Sequence, residues 1–304
     1  MTFFSFLEVS ATLLYDFVLE IFCDVVIRYS YNAAYERILD RRPQGRDSVT
    51  VQTDGAGLRM SLLGRFEVRA GDDMIIDEAW HHRNAKALLK LLAVQSNRSL
   101  HREQVLDAFW ASLKPSAAAA NLRKILFDLR AEFTARRVTA QVVTIADDMV
   151  VLSPEISLDI DEFRSCAQAA RSSQNRLELY EEAISLYGGD LLVEDGYEEW
   201  TEGPRRELRD LHNDLLIELS QLYAAAGKLE LAAERLQRLL QADPLDEDAN
   251  RLMMRLYAEA GSRQKAYRQY KTFRVALRRE IGAAPSEETE TLIRDILAGK
   301  VGRA

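Results

Sequence analysis

The chain has 304 residues, which is enough for about two domains of 100–200 residues each. Hydrophobic residues make up 47% and charged residues 29%, with only 14 Gly and 6 Pro, so the composition excludes collagen-like and long disordered chains. The formal net charge of −8 argues against a polybasic tail and against general adhesion to anionic membranes, although a basic patch can still occur within an acidic protein.

Residues 1–57 are predicted to form an N-terminal extension and linker rather than a domain. The apolar stretch 3–27 contains four carboxylate residues and lacks a basic start, so it predicts an amphipathic helix rather than a membrane span. No other stretch is apolar enough to cross a bilayer, and Cys23 and Cys166 stand far apart in unlike contexts, so we expect a cytoplasmic protein in a reducing compartment. The extension is either a partner-binding helix or the product of a start codon upstream of the native one, and we favour the second interpretation.

The charge is unevenly distributed along the chain. Residues 1–57 carry 5 basic and 8 acidic side chains, residues 58–155 carry 14 and 12, and residues 156–304 carry 21 and 28. Only the middle segment is net positive, which favours it as the part of the chain that contacts an anionic partner.

The middle segment is predicted to fold as strands, three helices and a hairpin. Apolar and β-branched runs bounded by turn-prone residues predict strands at 58–66, 68–76, 141–145 and 149–152. Apolar residues at helical spacing predict helices at 84–94, 102–111 and 117–133. A short helix, a turn, a longer helix and then a hairpin are typical of a winged helix-turn-helix, in which the longer helix enters the major groove and the hairpin is the wing.

The longer helix carries its candidate DNA contacts on the side away from its apolar stripe. The stripe consists of Leu122, Ile125, Leu126, Leu129 and Phe133. With about 100° per residue, Arg123 and Lys124 lie on the far side, where phosphates or guanine edges would be. Arg123 and Lys124 are the first candidates for DNA contact, with Ser116 and Asn121 nearby, and Arg102 and Arg130 are weaker candidates for phosphate contact. A solvated face would carry the same residues, but the positive balance and the order of elements favour DNA binding.

Several short motifs follow one another through the middle segment. They are Leu62-Leu63-Gly64-x-Phe66-x-Val68, Ala85-Lys86-Ala87-Leu88-Leu89-x-Leu91-Leu92-Ala93, Ser99-x-x-Arg102-Glu103-x-Val105, Phe109-Trp110 and Ala119-Ala120-Asn121-Leu122-Arg123-x-x-Leu126-x-x-Leu129-Arg130. In this pattern the segment resembles the winged helix of the streptomycete antibiotic regulatory proteins, which implies sequence-specific binding to double-stranded DNA and transcriptional activation. The wing turn, Ala146-Asp147-Asp148, departs from the family because it is acidic rather than basic or glycine-rich, so minor-groove insertion at its tip is not expected.

The last part of the chain is predicted to be helical and to contain a repeat. Leu222-Tyr223-Ala224-x-Ala226-Gly227 returns as Leu256-Tyr257-Ala258-x-Ala260-Gly261, at an offset of 34 residues. This is the tetratricopeptide period, and the small residues and helix-ending glycines allow paired helices to pack closely. Coincidence between two ordinary helical hairpins is the less favoured interpretation.

Residues 160–297 also carry motifs of a second domain. They are Leu186-Tyr187-x-Gly189-Asp190-Leu191-Leu192, Glu199-Trp200-x-x-x-x-Arg205, Asp243-Pro244-x-x-Glu247-x-Ala249, and Leu277-x-x-Glu280-Ile281-Gly282-x-x-Pro285-Ser286-x-Glu288-Thr289. This stretch resembles the bacterial transcriptional activation domain that follows the winged helix in the same family. The resemblance implies a scaffold for self-association, which we expect to give a homodimer, and for contact with RNA polymerase.

The sequence shows no catalytic constellation and no metal-ligand spacing. It lacks a phosphate-binding G-x-x-x-x-G-K-[ST] loop and a G-x-S-x-G elbow, and its four histidines are not joined by cysteines or carboxylates at ligand spacing. We therefore predict a protein that is not an enzyme and needs no cofactor. The predicted fold is mainly α, with a winged helix-turn-helix of α+β type at 58–155 followed by an α-helical tetratricopeptide-like domain at 160–297. The alternative function is a repeat-based protein-interaction adaptor whose winged helix does not bind DNA.

Overall fold

The computed structural model describes residues 57–70, 73–136, 138, 141–173 and 176–301. The extension predicted over residues 1–57, with its amphipathic helix, lies outside the described residues apart from Gly57. None of the helices described is long and apolar enough to cross a membrane.

The first sheet has the strand order β3-β2-β1-β7. Its strands are β1 (Leu58–Ser61), β2 (Glu67–Ala70), β3 (Asp73–Ile76) and β7 (Ser157–Leu158). Strands β1 to β3 form an antiparallel meander, whereas β7 pairs in parallel with β1 through Arg59 and Ser157.

The single strand predicted over 68–76 is wrong, because this stretch contains two paired strands. β2 and β3 are antiparallel, and their register pairs Val68 with Ile75 and Ala70 with Asp73. The strand predicted over 58–66 is also too long, since β1 ends at Ser61. Leu62 and Leu63 leave the sheet because their N–H groups bind a side chain from a distant part of the chain, described below.

The three predicted helices and the hairpin are all present. The helices are α1 (Arg83–Ala93), α2 (Arg102–Trp110) and α3 (Pro115–Ala135), and the second sheet has the order β4-β6-β5, with β4 (Ser99–His101), β5 (Val143–Ala146) and β6 (Met149–Leu152). Helix α3 begins with Pro115 at its first position, where the missing N–H costs nothing. All five apolar residues predicted to form its inner stripe are buried.

The last part of the chain is helical, as predicted. Its helices are α4 (Asp159–Ser172), α5 (Arg176–Leu186), α6 (Glu199–Ala225), α7 (Leu229–Ala242), α8 (Glu247–Glu259), α9 (Arg263–Glu280) and α10 (Glu287–Leu297). Helices α6 and α7 form one hairpin and α8 and α9 form another.

The two hairpins repeat the same turn geometry. Gly227 and Gly261 have φ of +73° and +72°, so each ends its helix in the left-handed conformation. The N–H of Lys228 donates to Tyr223 O at 2.8 Å, and the N–H of Ser262 donates to Tyr257 O at 2.7 Å. These are the bonds that close a helix end in the Schellman motif. The 34-residue repeat is therefore a repeat of structure, and the predicted fold class is confirmed.

One hydrophobic cluster extends from Leu58 in β1 to Leu256 in α8, so the winged helix and the first helical hairpin share a core. A smaller cluster joins α8, α9 and α10. The predicted division into domains at 58–155 and 160–297 stays a prediction, and the contacts across it are extensive.

A buried carboxylate joins the two segments. Asp159, the first residue of α4, accepts hydrogen bonds from the N–H of Leu62 at 2.8 Å and from the N–H of Leu63 at 2.9 Å. These N–H groups have left the β1 ladder and are buried, so without the carboxylate they would lose hydrogen bonding altogether. Burial raises the pKa of Asp159 to about 6, although the backbone N–H groups act in the opposite direction.

Backbone contacts continue this junction. Leu63 pairs with Leu191 in an antiparallel bridge, the N–H of Gly64 donates to Asp190 O at 3.0 Å, and the N–H of Leu192 donates to Leu62 O at 2.8 Å. A Cβ added to Gly188 would lie 3.0 Å from the carbonyl oxygen of Leu63, so a side chain there would push the two segments apart.

A buried ion pair completes the junction. The side chain of Lys90 in α1 is only 1% exposed, and its Nζ lies 2.6 Å from Oδ2 of Asp195 and 4.7 Å from the ring centroid of Phe66. Burying an ammonium group is unfavourable without a partner, so this pair requires α1 and the short 3-10 turn Val193–Asp195 to stay in contact.

We expect Asp159→Ala to lower the free energy of unfolding by roughly 1–3 kcal/mol for each N–H group that it leaves unsatisfied. Glu155→Ala, a carboxylate removed from an exposed site four residues away, is the matched control and should change stability by less than about 0.5 kcal/mol. Urea unfolding followed by circular dichroism measures both. Equal effects of the two variants would contradict the assigned role of Asp159.

The raised pKa of Asp159 predicts a pH dependence. Between its ordinary value of 3.8 and the folded value of about 6, the folded chain binds more protons than the unfolded chain. This carboxyl group therefore stabilises the fold fully below pH 3.8, and the contribution is lost as the pH rises through 6. Asp159→Asn keeps an acceptor oxygen but does not titrate, so the stability difference between wild type and this variant should shrink by the order of 1–3 kcal/mol from pH 4 to pH 7. A pH-independent difference would contradict the shift.

Candidate nucleic-acid interface

The outer side of α3 exposes small residues near its N-terminus and a mixed row of larger ones beyond. Ser116, Ala117 and Ala120 are exposed, and Phe127 is 69% exposed. Small side chains at the start of the helix allow its backbone to approach a groove closely. An exposed phenylalanine in the middle of the helix is apolar surface that the described chain does not cover.

Arg123 and Arg130 lie on one line along this side. They are seven residues apart, which is almost two turns and roughly 10 Å along the axis, and Phe127 lies between them. Both are exposed, and within the described residues neither forms an ion pair. The structure thus places Arg130, a lower-ranked candidate, on the same face as the first-ranked Arg123.

Lys124 is exposed but not free of contacts. Its Nζ donates to the carboxylate of Asp128 at 2.8 Å, and Nδ1 of His82 lies 3.5 Å from the same carboxylate. An exposed i,i+4 pair is weak, so a phosphate group can compete with Asp128 for this ammonium group. Lys124 therefore suits a backbone contact better than a base contact.

Asn121 and Lys124 line a groove of about 400 Å³ between α3 and the beginning of α1. The other polar residues of its wall include Arg83 and Asn84 from the first turn of α1. Sequence analysis did not select Arg83. Its position directly after the His-His pair 81–82 gave no sequence signal, and only the packing of α1 on α3 places it near Lys124.

Arg102 lies beside the wing instead of on the α3 face. Its backbone N–H donates to Asp148 O at 2.7 Å, and its guanidinium group is 4.0 Å from the Asp148 carboxylate. It also lines a groove of about 570 Å³ with residues Ala118 and Ala119 of α3. Arg102 thus lies beside the acidic wing tip, whose carboxylates disfavour a phosphate group there.

A buried glutamate fixes the end of α3. Glu132 accepts hydrogen bonds from Arg136 Nη1 at 2.5 Å and from the backbone N–H of His81 at 2.9 Å. Burial acts to raise the pKa of Glu132, but these hydrogen bonds hold it below its ordinary value. Arg136, the first basic residue after the helix, is therefore a structural residue and not a free cation at the wing.

The wing turn is both acidic and conformationally unusual. β5 and β6 pair Ala146 with Met149, so Asp147 and Asp148 are the two turn residues. Their φ angles are +51° and +60°, the left-handed values of a type I′ turn, in which Asn-Gly is the favoured sequence. Two carboxylates at this tip would repel a phosphate backbone.

Comparison with known proteins identifies the helical part. Residues 158–297 match the family model of the bacterial transcriptional activator domain. We call residues 158–297 the activator domain, after this match. It begins with β7, the strand that joins the first sheet, and it ends with α10.

Two further similarities cover the winged helix as well as the activator domain. The chain is 25% identical over 275 residues to the regulatory protein AfsR of Streptomyces griseus, an alignment that covers 84% of this chain and 26% of that protein. The chain thus spans about a quarter of the length of this curated relative. Its fold is similar to that of Mycobacterium tuberculosis EmbR, solved in complex with a low-affinity phosphopeptide, with a TM-score of 0.66, 19% identity, and coverage of 80% of this chain and 66% of that one. The predicted resemblance to the streptomycete antibiotic regulatory proteins is confirmed.

The motifs that carry this resemblance contact one another in pairs. Leu62-Leu63-Gly64 lies against Asp190-Leu191-Leu192 of the activator domain. Arg205 donates to the carbonyl oxygens of Leu191 and Leu192 at 2.9 and 3.0 Å. These motif residues hold the winged helix and the activator domain together, so they are not candidates for DNA contact.

A second pair of motifs anchors α10 of the activator domain. One carboxylate oxygen of Glu247 accepts hydrogen bonds from the N–H of Ser286 at 2.8 Å and from Thr289 Oγ1 at 2.5 Å. Burial acts to raise the pKa of Glu247, but these hydrogen bonds hold it below its ordinary value. The motif around Ser286 is therefore the cap of α10 and its attachment to α8.

We expect the double variant Asp147→Asn, Asp148→Gly to unfold at a higher temperature than wild type. Each non-glycine residue in the left-handed region costs about 1 kcal/mol or more, and Asn-Gly adopts a type I′ turn without that cost. Asp147→Asn with Asp148→Asn removes the same two charges without introducing glycine, so it separates electrostatic from conformational effects. Calorimetry measures both double variants, and no gain of the glycine variant over this one would contradict strain at Asp148.

Proposed function

We propose that the chain is a sequence-specific DNA-binding activator of transcription that works in the cytoplasm and is not an enzyme. The observation that carries the proposal is the exposed line of Arg123, Phe127 and Arg130 on a helix whose opposite side is buried. Two arginines that form no ion pair with the described part of the chain, on the second helix of a helix-turn-helix, are suited to base edges and phosphates in a major groove.

The contacts that each candidate residue forms within the chain indicate which part of the DNA it would bind. Arg123 forms no ion pair within the described residues and is the first choice for a base edge, where a bidentate guanidinium recognises guanine. Lys124 is suited to the DNA backbone, because its ammonium group can exchange the Asp128 carboxylate for a phosphate. Ser116, near the N-terminus of α3, is suited to the DNA backbone as well. Asn121 extends this set into the groove beside α1. Arg102, paired with the wing tip, is the weakest candidate.

The activator domain supplies the remaining part of the proposal. We infer that it contacts RNA polymerase and joins two chains into a homodimer. The family match at residues 158–297 supports this role, and the 28 acidic against 21 basic residues over 156–304 disfavour general binding to DNA by this part of the chain.

An adaptor that does not bind DNA remains the second candidate function, and the acidic wing tip at Asp147 and Asp148 favours it. Genome-wide footprinting in the source bacterium separates the two functions. An activator gives reproducible protected sites that share a sequence, whereas an adaptor gives none.

We expect Arg123→Ala to weaken binding to DNA selected by the wild-type chain from a random library. The loss should be about 1–3 kcal/mol, or roughly 10- to 100-fold, with relaxed preference at one base pair. Lys124→Ala should weaken binding evenly across sequences and lower the slope of log K against log salt by about 1. Fluorescence anisotropy at several salt concentrations measures both effects.

Arg206→Ala is the matched control, since it removes an exposed arginine from α6 that pairs only with Glu202 in the described chain. It should leave DNA affinity within a factor of about two. Unchanged affinity and salt slope in a combined Arg123→Ala, Lys124→Ala variant would show that α3 is not the recognition helix.

A further inference from the structure

Helix α9 is the most basic element of an acidic domain. Its 18 residues include seven Arg or Lys and a single acidic residue, Glu280. The rest of residues 156–304 carries 14 basic and 27 acidic side chains. One third of the basic residues over 156–304 therefore lie in a single helix of 18 residues, where only one acidic residue offsets them.

The basic residues of α9 face away from the core. Ala266, Tyr270, Phe273 and Leu277 are buried on one side, and Arg268, Lys271, Val275 and Arg278 are exposed on the other at i, i+3, i+7 and i+10. We call these four residues the α9 basic face. The side chains of Arg268, Lys271 and Arg278 form no ion pair or hydrogen bond with the described chain. Val275 lies between them and is 60% exposed.

An acidic segment of the same domain has a charge opposite to that of the α9 basic face. Residues 193–202, which include the beginning of α6, contain five carboxylates and no basic residue. Glu194, Glu198, Glu199 and Glu202 are exposed, together with Val193 and the fully exposed ring of Tyr197. Lys90 engages Asp195 and thereby holds this segment on α1.

We propose that the α9 basic face binds residues 193–202 of a second copy of this chain, and that two such contacts form a two-fold symmetric dimer. The inference deepens the self-association in the proposed function by naming the surfaces that meet. Both surfaces belong to one compact unit, so a two-fold arrangement of two chains would make the same contact twice, as an isologous interface requires.

The apolar residues favour a protein partner over nucleic acid. Val275 lies within the basic face, and Val193 and Tyr197 lie within the acidic segment. A phosphate backbone gains nothing from covering valine, whereas an apolar centre with a charged rim is the usual composition of a protein interface. Neither surface includes residues of α3, so the dimer leaves the candidate DNA contacts free.

The test uses charge reversal and sedimentation equilibrium on the full chain. Arg268→Glu with Arg278→Glu reverses the basic face, and the triple variant Glu194→Lys, Glu199→Lys, Glu202→Lys leaves the acidic segment with three lysines and two carboxylates. Each variant should raise the dimer dissociation constant about tenfold or more, because like charges then face each other in both contacts. The wild-type constant should rise with salt concentration. Arg65→Glu with Arg238→Glu makes the same change in net charge at exposed arginines elsewhere and should have little effect.

Mixing the basic-face variant with the acidic-segment variant gives the decisive result. One variant then presents two acidic surfaces and the other presents two basic surfaces, so both contacts of a heterodimer are complementary. We expect the mixture to dimerise at least as tightly as wild type. A wild-type chain that stays monomeric at low salt, or variants whose mixture does not recover dimers, would overturn the proposal.

DNA binding separates this proposal from the preceding one. The basic-face variant should bind a single DNA half-site as wild type does, because α3 is unchanged. Weaker half-site binding with an unaltered dimer would mean that the α9 face contacts nucleic acid, which would overturn the dimer interface. Absence of DNA binding in the wild-type dimer would instead refute the proposed function and leave the interface standing.

Discussion

The structure depends on the hydrogen bonds between the Asp159 carboxylate and the N–H groups of Leu62 and Leu63. These bonds end β1 early and turn the chain toward Leu191 and Leu192, where backbone pairing continues. The carboxylate is buried, so its replacement would leave donors that water cannot easily reach. A winged helix and an activator domain that could have been connected by a flexible linker are thereby joined into one core.

This rigid junction connects the proposed DNA contacts to the proposed dimer contacts. Helix α1 packs against α3 and also carries Lys90, which binds Asp195 at the start of the acidic segment. In the proposed dimer, the contacts at residues 193–202 are therefore fixed relative to α3 of the same chain. Two recognition helices held at a set distance are what a DNA site made of two half-sites requires.

The same contacts change the meaning of the family motifs. Gly64, Arg205 and Glu247 belong to motifs that identify the family, and each of them lies at a junction between segments rather than on an exposed face. The family-specific sequence thus encodes how the parts are assembled. The residues that would give this chain its own DNA preference, Arg123 and Arg130, lie on a surface that packing leaves unconstrained.

The sequence by itself determined the features with a local physical cause. The apolar stripe of α3 has helical period, the 34-residue repeat reappears as two hairpins closed by Gly227 and Gly261, and hydrophobic patterning located the helices. Only the tertiary structure decided the features whose partners are distant in the chain. Lys90 can be buried because it pairs with Asp195, which lies 105 residues later in the chain. Strand β1 is short because the N–H groups of Leu62 and Leu63 donate to Asp159 instead of to a neighbouring strand. The α9 basic face likewise depends on which side of the helix is buried, since charge patterning shows that a helix is basic but packing decides where its charges point.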